Sequence, residues 1–348
     1  MNQRDDVNKR KADHIQICLN DNVNGRGITT GFEHYSFIHQ ALPEVDFTEI
    51  KVDISFLEKK VATPFLISSM TGGTEKAMTI NHNLAIAAQE KGWSFGVGSG
   101  RAAVEDPKRA YTFQVRKYAP SIPIIANVGA VQLNYGFGID ECKKIVDLVE
   151  ADALVLHLNS LQELIQPEGN TNFRGLFQKI EELCRSFHLP IGVKEVGWGI
   201  NGQLAKRLFE SGISFVDVAG AGGTNWSQVE KHRSTNPLKR AVADAISGLG
   251  IPTAECLVDI KQNEGTGTLI ASGGLGNGVE AAKAIALGAD LAGFGRSILA
   301  EAVTSERALI ERFTQIEYEL KAAMFSIGAA SINELKNTSS IKRVGSSF

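Results

Sequence analysis

From Pro64 onward the sequence alternates short apolar runs with helical stretches, and it does so eight times. The runs are Phe65–Met70, Ser94–Ser99, Pro123–Gly129, Ala153–Asn159, Pro190–Gly197, Ser214–Gly220, Thr268–Gly274 and Leu291–Arg296. Helical patterns fall between them at Asn81–Gly92, Ala110–Tyr118, Asp140–Glu150, Asn172–Phe187, Asn201–Ser211, Ala254–Gln262 and Val279–Leu287. The repeat averages roughly 30 residues, the length of a strand, its crossover helix and two loops. The runs are continuously apolar rather than alternating, as in parallel strands buried on both faces. A doubly wound open sheet and a closed barrel both satisfy this pattern. Eight units with no linker or composition break favour the barrel, so the predicted fold is α/β, a TIM (β/α)8 barrel.

The remaining segments are flanking additions. Residues 1–60 read as an N-terminal extension, with a helix over Asp5–Asn20 carrying Arg10-Lys11, a Gly-rich turn at Asn24–Gly27, and a half-buried strand over Glu49–Leu57. Residues 61–348 read as the barrel, with a long connection at Trp226–Gly250 and C-terminal helices from Ala300.

Composition narrows the function. Of 348 residues, 36 are Lys or Arg and 39 are Asp or Glu, for a formal net charge of −3. No global field would draw nucleic acid or a membrane surface, so any anion site must be local. No apolar run approaches the ~18 residues that span a bilayer, and the charged start MNQRDDVNKRKADH does not read as a signal peptide. Cys18, Cys142, Cys184 and Cys256 are scattered, without a zinc or disulfide spacing. A cytoplasmic enzyme is the expectation.

Polar residues gather where the runs end, the rim at which barrel enzymes build their sites. The seventh run ends in Gly273-Gly274-Leu275 and the eighth in Gly295-Arg296. Gly-rich turns entering helices present backbone N–H groups to anions, and barrels commonly hold a phosphate after these two strands. The fourth run carries His157 and Asn159, two apart and therefore on one face, followed by Gln162-Glu163. Such groups are costly to bury idle. The single carboxylate, Glu163, suits a Mg2+ held mainly by substrate phosphate and water. Lys194 sits in an apolar run, where it needs an anionic partner or a lowered pKa; Glu195 points to the opposite face. A Schiff-base lysine is the competing reading.

Taken together, Arg10-Lys11-x-x-His14, Ser69-Met70-Thr71-Gly72-Gly73, Gly98-Ser99-x-Arg101, Asn127-Val128-Gly129, His157-x-Asn159-x-x-Gln162-Glu163, Lys194-Glu195-Val196-Gly197, Gly222-Gly223-Thr224-Asn225, Pro252-Thr253-Ala254 and Ser272-Gly273-Gly274 resemble type 2 isopentenyl diphosphate isomerase, the FMN-dependent form. The resemblance runs from about Arg10 to Leu299. It implies conversion of isopentenyl diphosphate to dimethylallyl diphosphate by a 1,3-proton shift, with reduced FMN as acid and base, Mg2+, and NADPH as reductant. It implies FMN contacts at Met70, Thr71, Gly72, Ser99, Asn127, Lys194 and Thr224, with the FMN phosphate on Gly273, Gly274, Leu275, Gly295 and Arg296. Arg10, Lys11, Ser99 and Arg101 would bind the substrate diphosphate, His157, Asn159 and Gln162 would line the substrate pocket, and Glu163 would meet Mg2+. His157, Gln162 and Lys194 are the implied catalytic set, and a homo-oligomer, a tetramer or octamer, the implied assembly. Two positions depart from the family pattern: Gly100 stands where Gln is usual, and Ala219 where Ser is common.

Two other flavin or nucleotide barrel classes share the late Gly-rich loops. The 2-hydroxy acid oxidoreductases need a His and an Arg after the sixth strand, and the IMP dehydrogenase class needs a loop cysteine there. Gly220-Ala221-Gly222-Gly223-Thr224 supplies neither.

Overall fold

A computed structural model describes residues 3–263 and 265–344. Of the expected segments 1–60 and 61–348, residues 1, 2, 264 and 345–348 lie outside the described residues. Eight parallel strands close into a barrel. In chain order they are β1 (Phe65–Ile67), β2 (Ser94–Gly96), β3 (Ile124–Gly129), β4 (Ala153–His157), β5 (Ile191–Lys194), β6 (Phe215–Asp217), β7 (Thr268–Ala271) and β8 (Leu291–Phe294). β8 pairs with β1 and closes the ring. Each strand lies within one of the eight apolar runs. Most runs continue two or three residues past the strand, and those residues form the rim.

The helices follow the sequence with standard end signals. Thr74 caps Glu75–Lys91 by accepting from the Ala77 amide, and Gly92 ends it at φ 66°. Asn277 caps Gly278–Ala286 in the same way. One expectation fails. Residues 110–118 are not a helix but two short 3-10 segments, Pro107–Phe113 and Arg116–Tyr118. The cause is tertiary: the Arg116 guanidinium donates to the carbonyls of Ala119, Ile122 and Glu150. Those bonds satisfy a tight connection that helical periodicity does not reveal.

The expected strand over Glu49–Leu57 is also shorter. Phe47–Glu49 is a 3-10 turn, and only Ile54–Phe56 is extended, paired antiparallel with Lys59–Val61. The hairpin turns through Leu57 and Glu58, both at positive φ, the geometry of a tight two-residue turn. It plugs the N-terminal end of the barrel. Phe56 packs edge-on to Phe215 at 5.8 Å, in a cluster with Leu66, Ile125, Val155 and Ile270.

The long connection after β6 contains two helices, Trp226–Arg233 and Pro237–Ala245. The C-terminal part is helical, as expected, with Glu306–Ser326 its longest element. Tyr35–Phe37 pairs with Ile341–Arg343, so the two flanking additions meet each other. No described helix is long and apolar enough to cross a membrane.

The hairpin plug generates a stability test remote from the rim. Phe56 is 4% exposed, and Phe56→Ala should lower the unfolding free energy in urea by about 3 kcal/mol. A loss below about 1 kcal/mol would show that the barrel bottom is closed by something else.

Candidate active site

Register delivers the functional side chains to one level. Gly129 pairs with His157, His157 with Lys194, and Lys194 with Asp217, across β3 to β6. Paired residues on adjacent parallel strands project to the same side, so these form one layer at the C-terminal rim. A cavity of about 380 Å³ opens above it.

His157 Nδ1 lies 2.7 Å from Asn127 Oδ1. A carboxamide oxygen only accepts, so Nδ1 carries the hydrogen and Nε2 keeps a bare lone pair. Burial, then Lys194, Lys11 and Arg101, push the imidazole pKa down to about 3. The ring is therefore neutral at working pH, an acceptor rather than an acid. Lys194 Nζ donates to the Glu195 carbonyl at 2.5 Å, not to the Glu195 carboxylate. That carboxylate turns the other way and accepts from the backbone amides of Val196, Gly197, Trp198 and Gly199 at 2.5–3.3 Å. Burial pushes it up to about 7 against those amides. Its role is to lock the loop after β5. Asp217 accepts from Ser272 Oγ at 2.6 Å, and burial raises its pKa against the pull of Lys194.

Beyond this layer, the cavity wall divides into two anion-receptive regions. One lies after β7 and β8, where Gly273 and Gly274 adopt φ 103° and 85°. A Cβ there would collide with Gly220, Thr30 and Gly223, so glycine lets this loop pack against the one after β6, and both residues line the cavity. Arg296 stands beside them, hydrogen-bonded to Asn24 of the N-terminal segment. Ser68 Oγ and Thr71 Oγ1, also on the wall, are buried without protein partners. Orphaned hydroxyls next to a glycine cradle fit a bound polar cofactor with a phosphate.

The other region gathers Arg10, Lys11 and Arg101. Burial, reinforced by Arg10 and opposed by Glu230, lowers Lys11 to about 8. Arg10 meets Glu168 at 2.9 Å and Arg101 meets Glu105 at 2.6 Å, so Lys11, buried beside Arg10, is the cation of this region held least favourably charged. Glu163 lies at its edge, accepting from Asn159 Nδ2 at 3.0 Å and from the Asn170 amide at 2.5 Å. Asn159 Oδ1 is itself a buried orphan acceptor. One carboxylate and one amide oxygen suit a hard cation that takes its other ligands from substrate. Among the described residues no group of three or more His, Cys, Asp or Glu could hold a metal unaided.

Of the residues expected at the site, all but one line this cavity, including Met70, Ser99, Thr224, Leu275, Gly295 and Gln162. The exception is Gly72. A Cβ there would run into the Phe113 ring, so this glycine permits packing beneath the rim.

Sequence reasoning missed Glu230. It lies on Trp226–Arg233, a short polar helix that reads as a solvated surface segment, yet its side chain is fully buried. It meets Arg233 at 2.5 Å and His14 Nε2 at 2.9 Å, and it accepts from Gln162 Nε2 at 3.1 Å. Burial alone would raise its pKa, but His14, Arg233 and Gln162 together hold it at about 2. Glu230 thus docks the N-terminal helix, Gln3–Asn20, onto the rim and orients Gln162. The only sequence signal was His14 in the motif with Arg10 and Lys11.

Residues 151–342 match the profile of the FMN-dependent dehydrogenase family. An isopentenyl-diphosphate delta-isomerase of Oceanobacillus iheyensis is 52% identical over 342 residues, covering 98% of each chain. Another from Nostoc sp. is 50% identical over 335 residues, covering 96% of each. Among solved structures, a mandelate oxidase aligns with TM-score 0.65 at 17% identity over 96% of each chain. An (S)-mandelate dehydrogenase chimera aligns with TM-score 0.66 at 16% identity, covering 98% of this chain and 99% of that one. At such low identity the structural likeness speaks to the barrel alone.

The buried Glu230 cluster has a pH signature. Its folded pKa lies below the ordinary 4.5, at about 2, so its contribution is complete above 4.5 and is lost as pH falls toward 2. Glu230→Gln should cost about 3 kcal/mol at pH 7, because buried Arg233 loses its 2.5 Å partner and keeps only the longer contacts to Asp13 and Glu168 at 3.9 and 3.7 Å. The gap to the unaltered protein should narrow steadily in urea titrations between pH 5 and pH 3; a constant gap would mean that Glu230 is not ionised.

Proposed function

The chain belongs to the isopentenyl-diphosphate delta-isomerases, in their FMN-dependent form, and from that premise we propose how its own residues perform the 1,3-proton shift between isopentenyl and dimethylallyl diphosphate. The observation that carries this reading is the pair of anion-receptive regions on one cavity wall. Two phosphate-bearing molecules can then lie with their reactive ends meeting over the His157–Lys194–Asp217 layer.

FMN would be held on the β7–β8 side, with Gly273, Gly274, Leu275, Gly295 and Arg296 as the groups to receive its phosphate. Ser68, Met70, Thr71, Ser99, Asn127 and Thr224 line the path of its ring. When bound and reduced, FMN supplies an electron-rich ring nitrogen able to exchange a proton with an alkene, and NADPH serves only to keep it reduced. Lys194, on the cavity wall, would supply positive charge to a bound flavin, and Asp217 lies beside the lysine in the same layer.

The substrate diphosphate takes the other side. Arg10, Lys11 and Arg101 would neutralise it, and Glu163 with Asn159 Oδ1 would be the groups to hold a Mg2+ that supplies further positive charge to the diphosphate. Binding energy from this remote group holds the small apolar alkene, which offers nothing to grip. An unactivated alkene is a poor base, so water must be kept away from it. The N-terminal helix, docked through His14 on Glu230, closes the cavity and does this. His157 offers its bare Nε2 to the cavity, and Gln162 is held with its amide hydrogen on Glu230. Both line the cavity beside the alkene, and His157, kept neutral by burial and nearby cations, can accept a hydrogen bond at Nε2.

Lys194 as a Schiff-base nucleophile is the weaker reading. Its Nζ is engaged by the Glu195 carbonyl, and relatives at about 50% identity carry another activity in their names.

Anaerobic enzyme loaded with reduced FMN and Mg2+ should exchange protons of isopentenyl diphosphate with D2O and form dimethylallyl diphosphate, as followed by NMR. Equal turnover by the flavin-free protein would overturn the mechanism. Glu163→Gln should raise the Mg2+ concentration for half-maximal activity by about tenfold or more; an unshifted Mg2+ titration would remove Glu163 from the metal.

A further inference from the structure

We propose that Asn170 is a positioning residue that sets the geometry of the diphosphate site from outside it. The proposal rests on the reading that Arg101 and Glu163 receive the Mg2+–diphosphate. Asn170 does not line the cavity, but it touches three residues that do. Its side-chain Oδ1 accepts from Arg101 Nη1 at 3.1 Å and from Gln132 Nε2 at 3.2 Å. Its backbone N–H donates to Glu163 Oε2 at 2.5 Å. One residue thereby holds the guanidinium that meets the phosphate and the carboxylate that meets the metal.

The local chain is built for this double contact. A Cβ at Gly169 would overlap the Glu163 carbonyl, so only glycine lets the turn after Ser160–Ile165 close back onto the second half of that helix. The Gly169 amide donates to the Gln166 carbonyl at 3.2 Å, and that carbonyl also accepts from Lys239 Nζ at 2.6 Å. The turn is therefore anchored to Pro237–Ala245 on its far side. Among the described residues Arg101 has one other partner, Glu105 at 2.6 Å, whose side chain is 46% exposed. A solvated ion pair restrains a guanidinium weakly. Asn170 and Glu105 grip opposite edges of the group, leaving its remaining N–H donors for an anion.

The side chain and the backbone of Asn170 serve different partners, and this separates its role from a merely structural one. Asn170→Ala removes the acceptor from Arg101 but leaves the amide on Glu163. In the FMN-loaded enzyme it should raise KM for isopentenyl diphosphate about tenfold with kcat within about twofold. Calorimetric Kd for Mg2+–pyrophosphate should rise in parallel, while the Mg2+ requirement and FMN retention stay unchanged. Asn170→Asp, which keeps the acceptor, should return KM to within about threefold of the unaltered enzyme. In an Arg101→Ala background, Asn170→Ala should add less than about twofold to the pyrophosphate Kd, because its partner is already gone.

A tenfold effect that persists in full in the Arg101→Ala background would overturn the proposal, as would KM, Mg2+ requirement and FMN retention shifting together. If Arg101→Ala itself leaves KM unchanged, it is the diphosphate reading that fails. Should the alanine variant not fold, Asn170→Ser, whose hydroxyl is too short to reach Arg101, is judged by the same readouts.

Discussion

Closing eight parallel strands into a ring is the constraint on which the rest of this protein depends. A closed ring has no free edge, and its register forces residues from neighbouring strands onto common levels. The top level here is Gly129, His157, Lys194 and Asp217. A neutral imidazole, an ammonium and a carboxylate are thereby placed side by side in a site shielded from water. Lys194 lowers the pKa of His157 on one side and pulls against the burial-raised pKa of Asp217 on the other. None of them could be moved alone, because a one-residue slip of a strand would turn its side chain into the outer shell.

The barrel alone does not complete the site. A second constraint, the burial of Glu230, recruits the N-terminal helix. A fully buried carboxylate needs cations and donors, and it finds them on three separate pieces of chain: Arg233 on its own helix, His14 on the N-terminal helix, and Gln162 after β4. Satisfying that one charge carries Arg10 and Lys11 to the rim as passengers on the same helix. Electrostatics of a residue that reads as surface thus decides how an apparently separate extension joins the enzyme.

The repeating framework was largely legible. All eight apolar runs contain the strands, since a strand buried on both faces cannot hide its composition. Where the runs outlast the strands, at Ser68–Met70 or Ser272–Gly274, the extra residues are the ones that line the cavity. The failures have local causes. Residues 110–118 carry helical periodicity but are held in 3-10 turns by Arg116, and the Glu49–Leu57 pattern continues through a turn that bends the chain into a hairpin. Among site residues, Gly72 shows that a motif position can serve packing, against Phe113, as readily as contact.

By itself the sequence determined the barrel, the rim that carries chemistry, and the family, because periodicity and clustered motifs are properties of neighbours along the chain. It also displayed both cationic and glycine-rich groups that became the two anion regions. Only the tertiary structure decided which charges are buried and with whom. Glu230 and Asn170 look ordinary among polar neighbours, and Asp217 stands in an apolar run without showing which group it meets. Their influence comes from partners 2 to 216 positions away. Desolvation and hydrogen bonding act through space, and a charge's ionisation depends on groups that the chain brings together only when the ring has closed.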